Sequence, residues 1–499
     1  APGGLIFPAT PDAPSVTNKI VFLAPAGTGP AVARAAAEAA RQDWRARLGK
    51  IFKTGPLPPT PGMPDLAWVS VTGPVADYEA LWKATRAEMD GRRRARVFEP
   101  VEIPQRKLCA QSPGLPAVPA PPASLRHERD EALSAAGWAK RRAGDQRFPS
   151  TVSIASSAFR RRLLHRASTD PEVAATLRNP VHRLNAALNQ LSVHTDRSTL
   201  LEVAVPAGLE PLAGCLGAWV TPDRWDGEVI GREYGTTPDE RTVRDARAAA
   251  GALAANARNA GIPAPSPYFA VVVQDLDRLG QALGNLDLHA QRDVSKQLST
   301  LAAHQTELLT KQHPLAVLVY AGGDDFLAFC PAAEALQLAA SLRRQVQAAV
   351  STGPLATGGP DGTPITASTA VVFAHMSNPL RDALQAAHQA IMDAKSATSR
   401  SGRSRDALAV VVRRRGGERA RTILPWWPPG TEDGVNATDL LARIRPGAHS
   451  DVLSAGLGAD LERDEVMLAE LAGEPVLLRA ELVRLVSRHG GTPEAGKAL

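Results

Sequence analysis

Cysteine is nearly missing from this sequence: Cys109, Cys215 and Cys330 are all it has in 499 residues. No two of them stand at a paired spacing, which excludes a disulfide framework and a four-cysteine zinc site. Long apolar runs are missing too. None approaches the ~18 to 20 residues that a bilayer-spanning helix needs. The opening stretch, APGGLIFPATPDAPS, has no basic segment leading into an apolar core, so it is not a secretory signal. A cytoplasmic protein with no membrane partner is expected.

What is present is the composition of an ordinary soluble protein, 44% hydrophobic and 22% charged, long enough for two to four compact units. The net charge of +6 is modest but clustered. Arg92, Arg93, Arg94 and Arg96 form one group, Arg160, Arg161, Arg162 and Arg166 a second, and Arg413, Arg414, Arg415, Arg419 and Arg421 a third. Such clusters suit phosphate backbones through bidentate contacts and counterion release. They equally suit solvated helix faces and strand ends.

Hydrophobic periodicity divides the chain. Residues 19–25 (KIVFLAP) and 66–71 (LAWVSV) are expected as strands, alternating with helices over 31–48 and 75–93. Residues 103–124 form a proline-rich connector, and 125–261 are mainly helical. From 265 the pattern predicts strands at 268–273, 315–320, 325–330, 365–373 and 407–413, with helices over 287–309, 332–350 and 379–397. The resulting β-α-β-β-α-β-α-β order is that of a ferredoxin-like palm with additions. Helices return beyond 436. The expected class is therefore α+β. Its domains are 1–102, a connector and helical region at 103–262, a palm at 263–416 and a helical domain at 417–499.

One constellation carries chemistry. Asp275 ends the 268–273 strand, and Gly322-Gly323-Asp324-Asp325 forms the hairpin turn between two apolar strands. Joining nucleotides requires charge neutralisation on a triphosphate, which carboxylate-held Mg²⁺ (or Mn²⁺) supplies. Asp275, Asp324 and Asp325 are the candidate catalytic carboxylates. Asp275, Asp324 and the Leu276 carbonyl are the candidate metal ligands. Gly322, Gly323 and Gly280 would let phosphate oxygens approach the backbone. Lys395 stands where a cation could meet a triphosphate, or where a helix lysine faces solvent. Ser368 and His375 could contact a nucleotide or make structural hydrogen bonds. Trp426 and Trp427 read as packing or interface residues.

VVVQDLDRLG, VLVYAGGDDFLAF, ASTAVVFAHMSNPLRDALQAAHQAIMDAK and RFPSTVSIASSAF together resemble the large polymerase-like subunit of type III CRISPR effector complexes, the Cmr-type branch of the Cas-ten family. The resemblance implies two ferredoxin-like palms, the first degenerate, and an RNA-activated synthesis of cyclic oligoadenylates from ATP. Asp275 and Asp324 match the family's metal positions, Asp325 its second turn aspartate, and Asp277 the second acid of its D-x-D segment. The implied partners are crRNA, target RNA and the backbone, small and crRNA-tag-binding subunits. Two features depart from the family. None of the eleven histidines precedes an aspartate, so the HD nuclease and its single-stranded DNA cleavage are not expected. The zinc-binding pairs reduce to Cys109 and serines, so no zinc is expected, and packing or a partner must hold that loop. A GGDEF-like cyclase and a non-catalytic scaffold are the competing readings, and an adenylate joined to another small molecule stays open.

Overall fold

Leu5–Phe7 (β1) pairs antiparallel with Val21–Phe22 (β2) in the computed structural model. The structure describes residues 4–10, 19–53, 55–95, 107–121, 131–142, 148–191, 203–234, 237–397, 404–428, 435–443, 460 and 463–488. The alanine-rich helix forms as Gly29–Ile51 (α1), with proline in its first turn, where the missing amide costs nothing. The next helix is Tyr78–Arg94 (α2). The strand expected at 66–71 does not form. Leu66 and Trp68 are each 37% exposed, and no described strand pairs with the segment. Alternating hydrophobicity cannot hold a strand whose backbone has no ladder partner.

The connector is closed by packing. Cys109, Leu133 and Trp138 form a small buried cluster, and the Cys109 amide donates to the Leu115 carbonyl at 2.9 Å. Six helices follow: Ala135–Arg142 (α3), Thr151–Thr169 (α4), Pro171–Gln190 (α5), Glu210–Ala213 (α6), Gly227–Tyr234 (α7) and Glu240–Asn259 (α8). Their starts are written locally. Ser150 caps α4, Asp170 caps α5 ahead of a first-turn proline, and Asp239 caps α8. A cluster including Leu163, Leu177, Leu184, Trp219, Trp225 and Leu253 forms the helical core.

Arg160 corrects the reading of its arginine cluster as phosphate-facing or solvated. It is fully buried, and its guanidinium donates to the Leu212 carbonyl at 3.0 Å and the Ser153 carbonyl at 3.1 Å. Arg160→Leu would take its donor from the Leu212 carbonyl in the core, while the Ser153 carbonyl keeps the Ser156 hydroxyl. It is expected to cost about 2–3 kcal/mol in a denaturant titration, against an unchanged midpoint if the contacts carry no weight.

The palm follows. Its elements are Tyr268–Leu276 (β3), Leu279–Gly284 (α9), Leu288–Gln312 (α10), Val317–Ala321 (β4), Asp325–Pro331 (β5), Ala335–Ala349 (α11), Ala367–His375 (β6), Leu380–Ser396 (α12), Ala407–Arg414 (β7) and Gly417–Pro425 (β8). The sheet order is β4-β5-β3-β6-β7-β8. Its β4-β5-β3-β6 portion is antiparallel throughout, and α12 makes the crossover to the parallel β7. Strand β3 is central because its apolar run fits burial on both faces. Phe269 and Val271 pack with α4 and α12 on one side, and Phe269, Val271 and Val272 are all fully buried. Each such side chain is worth about 1.5–3 kcal/mol. Helices α10 and α11 pack together through Val294, Leu298 and Val346. There β1 and α2 also dock: Arg292 donates to the Leu5 carbonyl at 2.9 Å and Tyr78 to Gln291 at 2.6 Å.

Strands β1 and β8 and helix α9 were not expected. The arginine-rich 413–421 stretch forms a largely solvent-facing hairpin at the sheet edge, which fits either reading of the cluster, and its charged residues discourage further pairing. Leu424–Leu499 is a separate compact unit. It contains Ala437–Arg443 (α13), Glu465–Glu470 (α14) and Pro475–Arg488 (α15), and it buries Trp426, Ala437, Leu485 and Val486. Trp427 is 42% exposed. Among the described residues no helix is long and apolar enough to cross a membrane.

Candidate active site

Three carboxylates converge where β3 ends. Asp275 lies in register with Asp325 of β5 on one side and Ser368 of β6 on the other. The Leu276 amide donates to the Asp324 carbonyl at 2.8 Å, and the Gly322 amide to the Asp325 carbonyl at 2.9 Å. Main-chain bonds thus hold the turn against the strand end; Asp324 is exposed, and Asp325 reaches solvent at one side while its carboxyl is partly covered.

Both glycines have packing reasons. Gly323 takes φ +89°, and a Cβ there would stand 2.3 Å from the Leu298 carbonyl of α10. At Gly322 a Cβ would meet the Tyr320 hydroxyl at 2.3 Å. The close approach at both is to protein. Gly280 is roomier, since its Cβ would meet only the flexible Arg86 guanidinium, at 3.3 Å.

Tyr320 is a neighbour that sequence reasoning missed. A register shift in β4 between Leu318 and Tyr320 re-aims it, as bulges do. Its hydroxyl donates to the Asp325 carboxylate. A tyrosine two residues before a Gly-Gly turn was the available signal, but only the bulge places it.

The electrostatics are those of crowded anions. Burial pushes the Asp325 carboxyl up to about 6, and the charges of Asp324 and Asp275 push the same way. Asp275 also stands above the ordinary range, through burial first, against the opposing pull of Lys395. Lys395 ends α12, is 19% exposed at its side chain and ion-pairs with Asp275. It is therefore a partner of the carboxylates and not a solvent-facing lysine. A carboxyl raised in the folded state stabilises the fold below its unfolded pKa. That contribution is lost as pH rises from 3.8 through about 6. Asp325→Asn is expected to flatten this part of the pH–melting curve, and a curve matching wild type would show that Asp325 is not crowded.

Asp277 and Ser368 lie beneath the site. Asp277 is 2% exposed and accepts from Thr366 Oγ1 at 2.7 Å, Ser368 Oγ at 2.9 Å and the Asp406 amide at 3.1 Å. Ser368 is fully buried. His375 is in register with Tyr268 at the other end of β3 from Asp275, and its Nδ1 accepts from the Ser377 amide at 3.2 Å. Thr366, Arg343 and Asp406 were not foreseen, because nothing local marks them.

Hard oxygen donors at the β3 end suit Mg²⁺ or Mn²⁺. Asp275 and Asp324 offer such donors; burial is the first cause of the raised Asp275 and Asp325 carboxyls, and the neighbouring carboxylates add to it. Among the described residues, no three His, Cys, Asp or Glu side chains already form a closed metal cage.

An antiparallel β4-β5-β3-β6 order with carboxylates at the β3 end and the β4–β5 turn defines a palm of the nucleotidyl-cyclase type. Residues 268–409 match the family model of the Cas10/Cmr2 second palm domain. The CRISPR system Cmr subunit Cmr2 of Pyrococcus furiosus is 26% identical over 197 residues, covering 34% of this chain and 21% of that protein. A chain in the cryo-EM structure of type III-B Cmr-beta bound to cognate target RNA superposes with a TM-score of 0.52 at 14% identity. That match covers 83% of this chain and 57% of the other. At that identity the likeness is one of fold. The match thus spans about a fifth of the curated relative.

Proposed function

We propose that this chain is the palm-bearing large subunit of a type III CRISPR effector and that its palm makes cyclic oligoadenylates from ATP when target RNA binds. The observation that carries the reading is the convergence of Asp275, Asp324 and Asp325 beside Lys395, inside the segment that matches the Cas10/Cmr2 palm. When bound at the carboxylates, Mg²⁺ or Mn²⁺ supplies charge neutralisation on the triphosphate. Asp275 and Asp324 would hold that ion at the β3 end, and Lys395, paired with Asp275, would exchange its partner carboxylate for a phosphate. Cognate partners are crRNA, target RNA and the other Cmr-type subunits. The β7–β8 hairpin, with Arg413, Arg414 and Arg415, is one basic surface available to such partners.

A scaffold reading draws on the Lys395–Asp275 pair, which offsets one carboxylate without any metal. The complex, reconstituted with ATP and Mg²⁺ with and without complementary RNA, separates the two by mass spectrometry of products. Cyclic adenylates formed only with target support the synthase. No product from ATP, GTP or mixed nucleotides would leave the scaffold.

A further inference from the structure

Four non-glycine residues among those described have positive φ, and three of them meet beside the candidate site. Arg278 (φ 58°) follows β3, and Arg405 (φ 75°) with Asp406 (φ 50°) leads into β7. L-residues hold this conformation only where their surroundings over-determine it, and such strain gathers at functional sites.

Here side chains do the holding. The buried Asp277 carboxylate takes the Asp406 amide together with the Thr366 and Ser368 hydroxyls. Arg278 Nη2 donates to Ser404 Oγ at 2.6 Å. The Asp406 carboxylate accepts from Arg343 Nε at 3.0 Å and Nη2 at 2.8 Å, and Arg343, on α11, is 6% exposed. The Arg405 amide donates to the Ala397 carbonyl at 3.1 Å, just past the helix that carries Lys395.

Both joined segments bear site residues. Asp275 and Leu276 immediately precede Asp277, and Lys395 lies two residues before Ala397. We infer that Arg343, Asp406 and Asp277 are positioning residues that fasten the α12–β7 connection to the β3 end and so set Lys395 against Asp275 during nucleotidyl transfer, an inference that rests on the function proposed above. All three act through Asp275 and Lys395. The Arg343–Asp406 pair suits this task because two donors of a nearly buried guanidinium converge on one charged oxygen, Asp406 Oδ1.

The test uses the reconstituted complex carrying Arg343→Met or Asp406→Asn. The second keeps a residue type that tolerates positive φ and serves should the first fail to fold. Small misplacement of reacting groups is costly, so turnover at saturating ATP is expected to fall by about tenfold or more, with KM for ATP little changed. Arg343→Lys, which keeps the charge and one donor, is expected to recover part of that loss. Amide hydrogen exchange over 404–414 is expected to speed up in both disabling variants, with the rest of the sheet unchanged. Unaltered exchange there, or faster exchange with unaltered turnover, would overturn the inference. Exchange needs no catalysis, so it reads the fastening even where a productless wild-type complex would remove the nucleotidyl-transfer reading itself.

Discussion

Asp324→Ala is expected to lower nucleotide-product formation by at least about 10²-fold while the complex still assembles and melts as wild type does. The side chain is exposed at the tip of the turn, so little packing is lost with it. The turn itself is held by main-chain bonds, Leu276 N to Asp324 O and Gly322 N to Asp325 O, which alanine keeps. What goes is one anion of the cluster at the β3 end. A second readout follows from the same charge. Partial burial first, and the Asp324 charge next, push the Asp325 carboxyl up to about 6. Removing Asp324 should therefore bring the Asp325 carboxyl down toward its ordinary range. Wild-type product yield from Asp324→Ala would end the assignment of this turn as the reaction centre.

Gly323→Ala is expected to destabilise the palm by about 2–4 kcal/mol, from a strained backbone together with overpacking. Its φ of +89° disfavours any L-residue, and the added Cβ would lie 2.3 Å from the Leu298 carbonyl. A carbonyl within α10 cannot swing aside as a side chain can. Either α10 shifts or the turn flips, and a flipped turn would carry Asp324 away from Asp275. The expected result is a lowered denaturant midpoint together with lost activity. Gly280→Ala serves as the control. Its Cβ would meet only the end of the Arg86 side chain, at 3.3 Å, and no backbone, so its denaturant midpoint should stay near wild type. An unchanged midpoint for Gly323→Ala would mean that α10 does not press on the turn.

Much of the palm is legible residue by residue. A β-branched and aromatic run such as YFAVVV favours a buried strand, and it became β3 within the sheet. Asp287, expected at the start of a helix, caps α10 by accepting from the Ala290 amide at 2.8 Å. Gly322, Gly323 and Asp324 fall between β4 and β5, as the hairpin signal implies, and Asp325 opens β5. Where the reading failed, the decisive neighbour lay far along the chain. Residues 66–71 alternate like a strand but have no partner among the described residues. Arg160 looks like its neighbours Arg161 and Arg162 until α4 turns it onto the Leu212 carbonyl. Asp277 matches a D-x-D pattern, but its carboxylate faces inward to Thr366, Ser368 and the Asp406 amide.

By itself the sequence determined most of the palm's strands and helices, where several helices start, and that acidic residues cluster at a glycine turn. These follow from burial periodicity and from hydrogen bonds between residues a few positions apart, both written locally. Only the tertiary structure decided that Gly323 abuts α10, that Lys395 pairs with Asp275 and that Arg343 anchors Asp406. Those contacts join residues 25 to 120 positions apart. Their geometry depends on how the sheet and its helices pack together, which no local pattern encodes.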